Sequence, residues 1–288
     1  MNPVEYIKHN YFDKIDKNIA IISDSEFETK KDFYKIETKE PVWKILNLAW
    51  KYDFVFVVLD KLNYDNIYRL YKYDVKNVCI INLNAWYTWM WKKLIYPDLE
   101  DIYIRPNTLV CEIMDIANLD TYVYKFIKNP TLTHIRVHYK EIENKIWNQE
   151  IDMEYDKIVN FNQFGISWYS WTIISYGSLL QESINVAWLL QEDGLNMDLF
   201  WVWNYKLYFS PDLIESLQDH DKIFIIWDFD KTVYKDFIYS RFYNAWITDK
   251  EIIFITPENI KPTIDGFLSE QVGMSSSKIY ERIKENID

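Results

Sequence analysis

No glycine occurs before Gly165, and the 288-residue chain holds five glycines against 13 tryptophans. Glycine supplies positive φ in turns and lets backbones approach closely, and no other residue does both cheaply. At the usual share of about 7%, roughly 20 glycines would be expected at this length. Glycine and tryptophan together number 18, five and 13, close to that expectation. Several tryptophans also stand where a turn or close contact favours glycine, as in Ala49-Trp50-Lys51, Ala85-Trp86-Tyr87 and Ser170-Trp171-Thr172. The sequence therefore reads as a fold whose glycine positions are partly written as tryptophan.

The remaining composition narrows the class. With 49% apolar residues the chain can bury a sizeable core, and its length suggests two domains. A net charge of −12 leaves no basic surplus for counterion release, which excludes a nucleic-acid backbone as partner. Cys79 and Cys111 both lie in apolar, strand-like runs and read as buried free thiols rather than a disulfide or metal site. No apolar run approaches membrane-spanning length, and the first 14 residues, MNPVEYIKHNYFDK, lack the apolar core of a signal, so no membrane association and a cytoplasmic location are expected.

Hydrophobic patterning predicts strands over 18–23, 54–59, 77–83, 108–113 and 133–137, with helices near 42–51, 63–73 and 118–127. Such alternation specifies α/β architecture, a mostly parallel sheet covered by helices on both faces. The charged, weakly periodic stretch 139–163 reads as a linker, and the pattern restarts with strands over 172–176, 197–202, 222–226 and 251–256. Ser178 is placed to cap a helix running to Asp193, with Gly194 as its stop. Ser210-Pro211-Asp212 gives a cap, a proline at the first helical position and an acid in the first turn. The last helix, 277–287, is amphipathic.

Ordinary catalytic signatures are missing. There is no Gly-rich phosphate loop, and no pair of Cys or His at metal spacing. Of the histidines, His134 and His138 flank a strand-like run and read as structural or exposed. Acidic runs such as Asp98-Leu99-Glu100-Asp101 read as solvated faces or helix starts.

Two stretches resemble a known family. The run 171–178, WTIISYGS, is similar to the "G-x-x-x-T-I-V-x-Y-G-S" strand and helix start of the transketolase C-terminal domain. Residues 195–206 resemble the strand before that domain's "x-K-P" turn, with Lys206 at the lysine, and 267–279 resembles "L-L-E-x-Y-G-L-T-x-x-x-I". In the first half, Asn84-Ala85-Trp86 falls at "H-A-G", Glu100-Asp101-Ile102 at "E-D-I", Arg105-Pro106-Asn107-Thr108 at "I-P-N-M" and 63–67, NYDNI, at "A-Y-D-Q-I". The order of these matches resembles the pyrimidine-binding domain followed by the C-terminal domain of the transketolase superfamily. The resemblance implies a pyrimidine-binding domain over 1–140, a linker over 141–165 and a transketolase C-terminal-like domain over 166–288.

What the resemblance implies about chemistry is specific. Enzymes of this superfamily use thiamine diphosphate, whose ylide acts as nucleophile and electron sink. A family glutamate hydrogen-bonds the aminopyrimidine ring and favours its imino tautomer. The segment 33–40, FYKIETKE, matches "F-F-D-V-G-I-A-E" by spacing and puts Glu40 there, with Glu37 the alternative. Glu40 before Pro41 is equally an ordinary helix start. Phe56 and Tyr64 are candidates for the ring that stacks on the pyrimidine, with a core role as the alternative. Asn84, Tyr96 and Arg136 are the candidate contacts to a sugar-phosphate substrate.

The departures are informative too. Asn84 and Tyr96 occupy family histidine positions, and Tyr139 the second arginine of "I-R-x-x-R", with Lys140 adjacent. The family's diphosphate and magnesium site, marked by "G-D-G", is absent from the sequence, so the resemblance implies a partner subunit carrying that domain, in an α₂β₂ heterotetramer or around a homodimeric core. The function implied is ketol transfer between sugar phosphates by the C-terminal half of a split transketolase. Deoxyxylulose-phosphate synthase and 2-oxoacid dehydrogenase β subunits are its enzymatic rivals. A catalytically silent subunit that stabilises or regulates a partner is the second reading.

The tryptophans admit two explanations. The source organism reads UGA as glycine while the translated sequence writes Trp, or residues 84–91 form a true aromatic binding patch. Recoding is preferred, because it accounts for the glycine deficit and the tryptophan surplus together. It predicts crowded turns or exposed indoles at the affected positions.

Overall fold

A computed structural model of the chain describes residues 6–12, 14–23, 29, 31–36, 41–59, 70, 72–82, 108–113, 116–137, 157–158, 171–176, 179–202, 209–227, 231–257 and 273–287. The chain divides into two compact units, Met1–Ile151 and Asp152–Asp288. The division falls inside the stretch expected as linker.

Unit 1 is built on six parallel strands: β1 (Ile19–Ser23), β2 (Asp32–Lys35), β3 (Phe54–Leu59), β4 (Val78–Asn82), β5 (Thr108–Ile113) and β6 (Leu132–Val137). Their order is β2-β1-β3-β4-β6-β5, with every neighbouring pair parallel. Strands covered on both faces have no polar side to present, so they read as unbroken apolar runs. Accordingly β1, β3 and β4 are buried at every position, whereas the edge strand β2 is half-exposed. Helices α1 (Pro41–Ala49) and α2 (Ile116–Lys128) supply the cover. Val42, Ile45, Leu46 and Ala49 of α1 lie buried at helical spacing. A π-helical turn over Lys8–Phe12 drops Phe12 onto the sheet, where its ring lies 5.0 Å from that of Phe56. The phenols of Tyr6 and Tyr11 both donate to the Asp120 carboxylate of α2, which ties this segment down.

Unit 2 repeats the design with a five-stranded sheet in the order β11-β10-β8-β9-β7. Four strands are parallel: β8 (Trp171–Tyr176), β9 (Met197–Val202), β10 (Lys222–Ile226) and β11 (Glu251–Ile255). The two-residue β7 (Lys157–Ile158) pairs antiparallel with β9 and lies within the segment expected as linker. The helices are α3 (Leu180–Glu192), α4 (Pro211–Asp219), α5 (Lys231–Asn244) and α6 (Ser276–Ile287). Helix α4 starts as its sequence demands: Ser210 accepts from the Leu213 N–H at 3.1 Å, with Pro211 following. Helix α3 ends at Gly194, whose φ of +79° is open to glycine at no steric cost. Its start differs from expectation. The N-cap position is Leu179, with no side-chain cap, and Ser178 lies outside the described residues. Helix α6 buries Ile279 and Ile283. Its first N–H, from Ser276, donates to the Glu182 carboxylate of α3 at 2.9 Å, so one helix caps another across the fold.

The expected helix over 63–73 lies largely outside the described residues. Among those described, no helix is long and apolar enough to cross a membrane.

Candidate active site at the carboxyl ends of the unit 1 strands

In an open parallel sheet, ligands bind beyond the carboxyl ends of the strands, where connections diverge to either side. The chain leaves β1 toward β2 on one side and later adds β3 on the other, so the order reverses between β1 and β3. The carboxyl ends in this sheet are Ser23 of β1, Lys35 of β2, Leu59 of β3, Asn82 of β4, Glu112-Ile113 of β5 and Arg136-Val137 of β6.

Polar residues concentrate there. Ser23, Asn82 and Arg136 are all buried, at 0%, 4% and 5% exposure. Arg136 sits between two polar register partners, Asn82 on β4 and Glu112 on β5. A guanidinium inside a sheet is tolerated only with polar partners, and its fixed fork of donors then holds one orientation. Along the same strand His134 is buried against Cys111, whose thiol donates to the His134 carbonyl at 3.7 Å.

The other sequence-predicted residues distribute as follows. Phe56 lies in the middle of β3, fully buried, with Phe12 and Phe126 rings at 5.0 and 5.5 Å. It is a core residue, the alternative left open by the sequence. Glu37 and Glu40 lie outside the described residues, in the connection between β2 and α1. Tyr64 follows β3, and Asn84 and Tyr96 follow β4; these three are also outside the described residues, as are Tyr139 and Lys140 beyond β6. In chain order, each of them comes after a strand of the unit 1 sheet and before the next described element. Asn82 and Glu112, the register partners of Arg136, were not singled out from the sequence. The signal was available only in part: Arg136 is the lone charge in the apolar run LTHIRV, but its neighbours follow from strand order.

Unit 2 treats its strand ends differently. Its order reverses between β8 and β10, and there Tyr176 and Trp227 stack at 4.5 Å with an interplanar angle of 21°. Both rings are buried, so an aromatic pair fills the position. One polar cluster of unit 2 lies at the opposite, amino end: Thr172 Oγ1 is 2.7 Å from Ser216 Oγ and 2.9 Å from His220 Nδ1. All three residues are buried and bonded to one another, which makes them a satisfied core network. Lys206 lies outside the described residues.

Among the described residues no group of His, Cys, Asp and Glu could hold a metal ion. Cys79 and Cys111 are buried thiols outside any disulfide, and burial pushes the Cys79 thiol far above its ordinary range.

No protein-family model matches the chain. No curated protein matches it either. Solved structures do. One is a split-gene transketolase, solved as an inactive β4 tetramer: TM-score 0.73 and 12% identity, over 98% of this chain and 94% of that one. Another is transketolase from Campylobacter jejuni subsp. jejuni NCTC 11168: TM-score 0.70 and 11% identity, over 93% of this chain. The chain spans 44% of the length of that Campylobacter protein. The class defined is a two-unit α/β protein with parallel sheets flanked by helices. More narrowly, the chain has a transketolase-like fold.

Proposed function

We propose that the chain is the C-terminal subunit of a split, thiamine diphosphate-dependent transketolase-type enzyme, acting on sugar phosphates with a partner subunit that carries the diphosphate and magnesium site. The observation that carries this reading is end-to-end likeness to a split-gene transketolase, over 98% of one chain and 94% of the other. The chain covers 44% of the Campylobacter transketolase, and in this reading the diphosphate-binding part is supplied by the partner subunit.

The described residues fit a polar ligand at the unit 1 strand ends, where Asn82 and Arg136 are buried register partners on neighbouring strands and Ser23 is buried at the end of β1. Thiamine diphosphate, when bound, would supply the carbon nucleophile and electron sink. In this reading Glu40 hydrogen-bonds the aminopyrimidine ring and sets its tautomer. Tyr64 takes the stacking role, since Phe56 belongs to the core. Asn84 and Tyr96 address substrate hydroxyls, and Arg136 offers a fixed positive charge to the substrate phosphate.

The test is reconstitution. The chain is purified with the subunit that carries the diphosphate site, and ketol transfer is followed with thiamine diphosphate and magnesium present. Wild-type turnover with Glu40→Gln inactive supports the assignment. Turnover retained in Glu40→Gln moves the role to Glu37.

One feature favours the second reading, a silent subunit that stabilises its partner. Asn84 and Tyr96 stand where the family resemblance expects histidines, and neither can serve as a proton relay at neutral pH as histidine does. A complex that binds thiamine diphosphate and never turns over would establish that reading.

A further inference from the structure

Two helices of unit 2 end in the same hydrogen-bonded device. After α3, the Gly194 N–H donates to the Gln191 carbonyl at 2.9 Å and the Leu195 N–H to the Leu190 carbonyl at 2.8 Å. After α5, the Trp246 N–H donates to the Tyr243 carbonyl at 3.0 Å and the Ile247 N–H to the Phe242 carbonyl at 2.9 Å. Both are Schellman closures, in which the residue just past the cap takes a left-handed conformation. Gly194 does so at φ +79°, Trp246 at φ 62°. Trp246 is the one non-glycine residue at positive φ among those described.

A bulky aromatic residue in that region is an outlier that tertiary contacts must hold in place. None does so here, because the indole is 88% exposed. The backbone asks for glycine and the side chain finds nothing to bury.

We infer that residue 246 is glycine in the protein as its source organism makes it, encoded by a UGA codon read as glycine. The inference is specific to position. Trp201 and Trp227 are buried to 1% exposure, and Trp227 stacks on Tyr176, so these are true tryptophans encoded by UGG. Trp50 is 87% exposed beyond α1, but its φ is not positive; exposure alone does not decide it. Residue 246 is decided by the backbone.

The test uses the protein from its own source. Digestion with trypsin releases residues 242–250, FYNAWITDK, in which position 246 is the single tryptophan. Its mass is read by mass spectrometry, and the codons for 201, 227 and 246 are read from the gene. The expected result is a peptide lighter by the difference between a tryptophan and a glycine residue, with UGA at 246 and UGG at 201 and 227. A tryptophan-containing peptide, or UGG at 246, overturns the inference. UGA at 201 or 227 overturns the structural criterion behind it. The reading does not depend on the proposed enzymatic function.

Discussion

The two matched helix ends give a direct measure of what a left-handed cap costs when glycine is absent. Replacing Gly194 by Ala adds a methyl group that meets nothing within 4 Å, so no clash contributes. What remains is the backbone term. A left-handed conformation costs a non-glycine residue about 1–2 kcal/mol. Reduced freedom of the unfolded chain offsets about 0.4–1 kcal/mol of that. Gly194→Ala should therefore lose about 1 kcal/mol. Trp246→Gly is the mirror image: it removes the same strain, and an indole that is 88% exposed forfeits little burial. It should gain about 0.5–1 kcal/mol by the same terms in reverse. For a unit of this size, 1 kcal/mol moves the melting midpoint by about 4 °C. Trp246→Ala separates the explanations, since it deletes the indole and keeps the strain. It should stay within about 0.5 kcal/mol of the tryptophan form. Scanning calorimetry and urea titration of recombinant chains would read all three, with an unchanged urea slope showing that stability alone moved. Equal stability of the Gly and Ala forms at 246 would refute the conformational argument.

Asp120→Asn removes the charged acceptor shared by Tyr6 and Tyr11. With both phenols half-exposed, the loss near pH 8 should be about 1–2 kcal/mol in urea titration. Burial, then the hydrogen bond and charge of Asp120, push both phenols above their ordinary range. The folded state therefore keeps protons that the unfolded state sheds, and this stabilisation is full below about pH 10 and lost as pH rises above it. The asparagine variant, with smaller shifts, should lose less over that range, so its gap to wild type narrows above pH 10. Ser210→Ala deletes the cap of α4 and should lower unfolding free energy by about 1 kcal/mol in the same assay. In the reconstituted enzyme, Arg136→Lys keeps the charge but breaks the fork; KM for a phosphorylated sugar should rise about tenfold while an unphosphorylated one is unaffected. An equal rise for both sugars would remove Arg136 from phosphate recognition.

Parallel sheets were legible because burial on both faces leaves no alternation to preserve. The runs 54–59 and 223–226 read as strands from their unbroken apolar character, and each is buried throughout. Local punctuation was legible where its partner is local too, as with Ser210 and the Leu213 N–H, or Gly194 past α3. It was not where the partner is distant. No local pattern shows Glu182 capping the start of α6, 94 residues on. The same limit applies to the site. Arg136 stood out as a charge in an apolar run, but Asn82 and Glu112 become its neighbours only because β6 inserts between β4 and β5. The short β7 carries two residues, too few to show any period.

The two sheets also indicate where chemistry should be sought. Both reverse strand order near their centre, and such a reversal opens a crevice at the carboxyl ends. In unit 2 a buried Tyr176–Trp227 stack occupies that position, and buried polar residues are bonded to one another, Thr172, Ser216 and His220 at the amino end and Ser175 with Ser183 nearer the carboxyl end. A network whose members satisfy one another offers no open donor to a ligand. In unit 1 the carboxyl ends instead hold Ser23, Asn82 and Arg136, and the segments with Glu40, Tyr64, Asn84 and Tyr96 follow its strands in the chain. Burying a guanidinium at the end of a strand is expensive, and substituting an apolar residue would often stabilise the sheet. In the proposed reading, a phosphorylated ligand is what retaining it there would serve. Under the proposed function, the unit 1 strand ends are the first place to look for the ligand.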